Sequence, residues 1–426
     1  MTLTHFTNAT LIDPVALTEE TGSLTIRDGL IIAIDGAAPK DAQVIDAGGA
    51  CLAPGIIDIG VKVSEPGERH KESFRSAGRA AAAGGVTTIV TRPDTLPAID
   101  TPETLEFVAR RAAADAQVHV LPMAALTKGR MGQEMTEIGL LLDGGAVAFS
   151  DCDRVVTNTK VYARALTYAA SLDALVIGHV QDPVLSDGAS VTSGKFASLR
   201  GLSGVSPMAE RMALDRDIAL LEMTGAKYHA DQITTARALP ALERAKRNGL
   251  DITAGVSIHH LTLNDLDVAD YRTFFKLKPP LRSEDDRRAV IAALAEGLID
   301  IISSMHTPQD EESKRLPFED AASGAVGLET LLPAALRLVH EDQISLPRLF
   351  RAMSLNPARR LGLDAGRLRI GAPADLILFD PHMPFQLDRS TLLSKSKNTP
   401  FDGARLQGRV LGTWVDGTRI FGGVDA

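Results

Sequence analysis

Pro54-Gly55-Ile56-Ile57-Asp58-Ile59-Gly60-Val61-Lys62-Val63-Ser64-Glu65-Pro66-Gly67 decides how this chain is read. The run Gly55–Val61 is apolar enough for a buried strand, and it closes at a Pro-Gly turn. Side chains alternate along a strand, so Gly60, Lys62 and Ser64 share one face. That face carries no metal donor: glycine offers no ligand, and a lysine ammonium repels a divalent cation. Outward from this strand, similar short runs alternate with helical spacing. The other runs are Thr87–Val90, Val118–Leu121, Ala146–Phe149, Leu175–Ile177, Lys227–Ala230, Asp251–Val256 and Asp300–Ser303. Stretches such as Glu72–Ala83, Thr101–Ala114, Met208–Thr224, Thr235–Asn248 and Glu284–Glu296 have helical periodicity. Eight strands with helices between them predict an α/β fold, a parallel (β/α)8 TIM barrel.

The ends of the chain read differently. Thr4–Leu11, Ser23–Arg27, Leu30–Ile34 and Gln43–Asp46 are β-like between turn residues, as are Ala374–Phe379, Gly408–Val415 and Thr418–Phe421. Together they predict a small β-sandwich assembled from both termini. The expected division is residues 1–53 for its N-terminal part, 54–364 for the barrel and 365–426 for its C-terminal part. Ser390–Pro400 is polar and reads as a surface loop.

With 426 residues, 45% hydrophobic and 23% charged, the composition is that of a globular protein. A net charge of −9 argues against a general nucleic-acid or anionic-membrane binder. Two cysteines are too few for a disulfide framework and fit a reducing compartment. Met1–Pro14 lacks a charged segment followed by an apolar core, and Val290–Ile302 is too interrupted to span a bilayer. A cytoplasmic location is expected.

Further segments carry a family resemblance. Glu65-Pro66-Gly67 through Lys71-Glu72, Ala83-Gly84-Gly85-Val86-Thr87-Thr88, Pro279-Pro280-Leu281-Arg282 through Asp286-Arg287, and Gly327-Leu328-Glu329-Thr330 occur in order. Asn356-Pro357-Ala358, Ala374-Asp375-Leu376 and Asn398 through Gly403 complete the set. In this order and spacing the chain resembles the dihydroorotase family of the amidohydrolase superfamily over nearly its full length. The resemblance implies zinc, a metal-activated water attacking a cyclic amide, and an aspartate proton shuttle.

The positions that would carry this chemistry are changed. The family's H-x-H pair falls on Gly60 and Lys62, its F-S-D-D-G aspartate on Cys152, and the second histidine of H-x-x-H on Gln232. Its essential aspartate falls on Met305, whose thioether cannot carry a proton. Only His179 is retained among these ligands. Substrate positions are altered too, at Ser64 for an arginine, and at Asp94 and Lys278 for asparagines. No catalytic residue, no metal and no cofactor are therefore expected.

The emptied site has two readings. His179, His259, His260 and His306 with Cys152 and Asp151 form a rebuilt metal site, or they are inherited residues satisfied by hydrogen bonds. The second is preferred, because catalytic zinc sites usually place at least three ligands. Lys62 is expected to fill the metal cavity and pair with Asp151, Asp153 or Asp94. Asp310–Arg315 reads as a solvated loop. The resemblance also implies a role: inactive dihydroorotase-like chains assemble with aspartate carbamoyltransferase in de novo pyrimidine biosynthesis, so that protein partner and an oligomer are expected. The alternative is an active cyclic-amide hydrolase, dihydroorotase or hydantoinase/dihydropyrimidinase-like, with an altered zinc site. A third reading is an anion-binding module using Lys62 and Arg92.

Overall fold

The computed structural model describes residues 3–268 and 271–422; the outermost residues of the expected terminal domains lie outside this range. Parallel strands Ile56–Val61, Val86–Thr91 and His119–Pro122 form one arc of a barrel. Leu175–Gly178, Lys227–Ala230, Ile252–Ser257 and Ile301–Ser303 form the other. The predicted fourth strand, Ala146–Phe149, is reduced to a short bridge. Phe149 pairs with both Ala124 and Val176, so the arcs join there. At the opposite seam Lys62 N–H donates to His306 O at 2.9 Å. Buried Asp58 accepts the Ser304 N–H at 2.8 Å and its hydroxyl, tying the first strand to the last.

Helices cover the barrel because their apolar faces need a partner. Phe74–Ala83 begins with a capping box at Ser73 and Ser76, and buries Phe74, Ala77, Ala80 and Ala81. Glu284–Glu296 is capped by Ser283, carries three acidic residues in its first turn and ends at left-handed Gly297.

Both chain ends enter one eight-stranded assembly. Cys51–Pro54 pairs parallel with Leu3–Asp13 and antiparallel with Leu376–Gln386. A separate apolar core holds this sandwich, with Phe6 edge-on to Trp414 at 5.0 Å.

Two loop readings are corrected. The segment 390–400 is no surface loop, since Ser394, Asn398 and Thr399 are buried. Its polar groups are met by two carboxylates: part-buried Glu329 accepts the Leu393 and Ser394 N–H groups, and buried Glu72 accepts the Ser394 hydroxyl. Asp310 caps a short helix, Glu311–Arg315, whose Lys314 is buried and donates to the carbonyls of Thr273 and Ala322.

The P-P-L-R arginine has a structural task. Arg282 is buried and bonds Thr234, Thr192, Gln181 and the fully buried Glu210. Replacing Arg282 by methionine leaves the Glu210 charge without its cation. Such a change costs about 3–5 kcal/mol, to be read from urea unfolding of wild type and variant.

Candidate functional site

Strand Ile56–Val61 slips register between Ile59 and Val61, and Gly60 sits at φ +98°. A side chain there is strained, and it fits only if the Met305 thioether shifts. A Cβ on Gly60 would lie 2.9 Å from Met305 Sδ. Met305 is buried with φ +47°. Its sulfur thus occupies space next to the backbone at the position where the resemblance implies an imidazole.

Lys62 Nζ lies 3.2 Å from Asp94 Oδ2 and 3.8 Å from Glu68 Oε2. Arg92 grips the same Asp94 with two bonds, Nε to Oδ1 at 3.2 Å and Nη2 to Oδ2 at 2.9 Å. Burial pushes the Asp94 carboxyl up, but Arg92, Lys62 and Arg130 outweigh it and hold the pKa below the ordinary value. The pairing of Lys62 with Asp151 or Asp153 is corrected by this geometry. Asp151 is taken by the Thr127 N–H at 3.0 Å and hydroxyl at 2.5 Å. Asp153 pairs with Arg130 at 2.5 Å and Lys278 at 3.3 Å.

The remaining positions are buried around this cluster. Cys152 has φ +55°, and burial together with Asp94 pushes its thiol up to about 12, so it stays protonated. Gln232 Nε2 reaches the Lys278 carbonyl at 3.5 Å, and the Ser64 hydroxyl has no hydrogen-bond partner among the described residues. Sequence reasoning missed Asp231. Its Oδ1 would be 3.9 Å from a Cβ on Gly60, and burial raises its pKa to about 6. The one signal for it was its place at the end of strand Lys227–Ala230, next to Gln232.

The histidines do not converge on a rebuilt centre. His259 bonds Ser257 and stacks on Phe401, and His260 donates to the Pro279 carbonyl at 3.2 Å. His306 Nδ1 accepts the Gly327 N–H, and its Nε2 lies 3.4 Å from Glu72. Among the described residues, the one close group of three histidine or acidic donors is His119, Asp375 and Asp416, away from these positions.

A family model described as dihydro-orotase-like matches residues 49–238, and one described as amidohydrolase family matches 323–421. A dihydroorotase from Syntrophus aciditrophicus (strain SB) is 38% identical over 414 residues, 96% of this chain and 97% of that protein. The chain belongs to the dihydroorotase family. Another member, a dihydroorotase from Anaeromyxobacter dehalogenans (strain 2CP-C), is 40% identical over 96% of this chain and 95% of its own. The L-hydantoinase (dihydropyrimidinase) of Arthrobacter aurescens superimposes with a TM-score of 0.89 at 24% identity, covering 99% of this chain and 96% of its own. That likeness establishes the amidohydrolase fold, a TIM-like barrel with a β-sandwich from the termini. No helix among the described residues is long and apolar enough to cross a membrane.

The zinc that the dihydroorotase family implies does not fit the residues of this member. Of the positions that the resemblance assigns to ligands, five hold a glycine, an ion-paired ammonium, a cysteine, a glutamine and a methionine. His179 Nε2 is buried with no hydrogen-bond partner among the described residues, but one imidazole does not make a zinc site. Burial, reinforced by Lys278, lowers its pKa to about 3 and keeps it neutral.

Two outcomes are expected. Gly60→His introduces strain and a clash with Met305, costing about 1–3 kcal/mol, and Gly60→His with Lys62→His still retains no stoichiometric zinc. Thermal melting and metal content after dialysis read these. Second, burial lowers His179, His229, His259 and His260 from 6.5 to about 3. The unfolded chain then binds more protons than the folded one between these values. The contribution is full above 6.5 and is lost as the pH falls toward 3. Urea unfolding free energy is expected to be lower at about pH 4.5 than at about pH 7.

Proposed function

We propose that this dihydroorotase-family chain serves de novo pyrimidine biosynthesis in the cytoplasm without hydrolysing dihydroorotate, as a structural partner of aspartate carbamoyltransferase. One observation carries the reading. At the mouth of the barrel the Lys62 ammonium is bound to Asp94 and the Met305 sulfur is packed against Gly60, where the family's hydrolysis needs imidazoles and a carboxylate. Fold and site are separable. A chain that keeps nearly the whole scaffold while losing metal and substrate positions together fits a role exercised through its surface, in an assembly of more than one subunit.

The names of its relatives support a second reading. Proteins called dihydroorotase are 38–40% identical to this chain over nearly all of its length. On that reading the chain is a cyclic-amide hydrolase that has re-formed its site around His179.

The purified chain is expected to hold no stoichiometric zinc, to leave dihydroorotate intact and to co-elute with the transcarbamoylase in size-exclusion chromatography. A lone chain in runs of the mixture would sink the partnership. Turnover of dihydroorotate, hydantoin or a dihydropyrimidine that survives Met305→Ala and vanishes in His179→Ala would establish the second reading instead.

A further inference from the structure

A separate group of donors lies at the other end of the barrel from the changed site. His119 is the first residue of strand His119–Pro122. It pairs with Thr88, which pairs with Ile57, so it stands three residues below Gly60 on the first strand. The family's chemistry belongs to the opposite, C-terminal ends of the barrel strands. Two carboxylates from the sandwich reach this histidine. His119 Nε2 lies 3.2 Å from Asp375 Oδ2 and 3.7 Å from Asp416 Oδ2, and the three donor atoms all fall within 4.8 Å of one another.

The backbone holds the three in place. Asp375 is buried and leads into strand Leu376–Gln386. Its carbonyl accepts the Gly55 N–H at 2.8 Å, at the entry to the first barrel strand, and its Oδ1 accepts the Asp416 N–H at 2.8 Å. Asp416 sits at φ +47° in the turn between strands Arg405–Val415 and Thr418–Phe421. The Gly417 N–H donates to the Ala374 carbonyl at 3.1 Å. The turn is thus strapped to the segment that carries Asp375, while the Asp416 side chain itself is 66% exposed and can swing.

Charge and spacing both suit a cation. Two carboxylates converge on one imidazole, and among the described residues neither has a lysine or arginine within ion-pair distance. With a neutral imidazole, the buried Asp375 charge has nothing to compensate it, which is costly. In tetrahedral zinc the ligand atoms stand about 2.0–2.2 Å from the ion, which sets them about 3.3–3.6 Å from one another. The two distances from His119 bracket that edge, and the third edge closes when the exposed Asp416 carboxylate turns inward. One imidazole nitrogen with two carboxylate oxygens is a donor set for zinc or cobalt, whereas magnesium and calcium take oxygen ligands in larger number.

We propose that His119, Asp375 and Asp416 form a structural site for a zinc-type divalent ion, completed by water, that clamps the floor of the barrel to the β-sandwich. The ion binds Nε2 of the neutral imidazole and one oxygen of each carboxylate. With three protein donors, two of them partly open to solvent, it exchanges with the medium. The dialysed chain is therefore zinc-free, and the site fills when zinc is supplied. The inference stands apart from the reading of the barrel mouth.

The test is calorimetric titration of the dialysed full-length chain with zinc chloride, paired with thermal melting. One saturable site is expected, with a higher melting temperature in zinc than in magnesium. Asp416→Asn, which alters only an exposed side chain, and His119→Ala are each expected to weaken zinc binding by at least about tenfold. Both should also remove the zinc-dependent rise in melting temperature. His179→Ala should leave zinc binding unchanged. A chain that binds no zinc, or binds it as tightly after either Asp416→Asn or His119→Ala, overturns the inference and leaves the reading of the mouth intact. Binding kept in His119→Ala but lost in His179→Ala puts the ion at the mouth, and overturns this inference together with the non-hydrolytic reading.

Discussion

The seam between the first and last barrel strands sets everything at the mouth. Asp58 is fully buried and would be costly to ionise there, as its pKa raised to about 6 reflects, yet Ser304 gives it two hydrogen bonds. Those bonds hold the strand beginning at Ile56 against the one beginning at Ile301. Two residues beyond Asp58 and one beyond Ser304, the backbone delivers Gly60 and Met305 to the same point. The Asp of the P-G-x-I-D frame is therefore a closure residue, and it persists although the residues after it have changed.

Where the family places a divalent ion among neutral imidazoles and carboxylates, this chain has an internal salt cluster. Two cations converge on one carboxylate, and Glu68 adds a second at longer range. The cluster stands out of water, so each charge depends on the others for compensation. Its two cations and two carboxylates balance one another within the chain. The contrast is one of electrostatic type: an exchangeable ion on the family's pattern, and charge built into the chain here.

Much of this was legible in the sequence. Seven of the eight predicted strands form hydrogen-bonded ladders close to where the apolar runs place them, and the helices Met208–Thr224 and Glu284–Glu296 match their predicted ranges. The replaced ligand positions could also be read, because the surrounding motifs fix the frame. Partnerships across the mouth could not. Whether Lys62 meets Asp94 or Asp153 depends on which loop reaches it, and Arg130, from a segment without a motif, claims Asp153 first. The burial of Ser394–Thr399 was hidden for the same reason. A polar tract reads as solvated until Glu72 and Glu329, more than sixty residues away in sequence, are seen to satisfy it.

The contact between Gly60 and Met305 also couples two distant stretches of the chain. A Cβ at position 60 would meet the Met305 sulfur at 2.9 Å, so a side chain fits there only if the thioether turns away. An exchange at either position is therefore felt at the other, and the two do not vary independently.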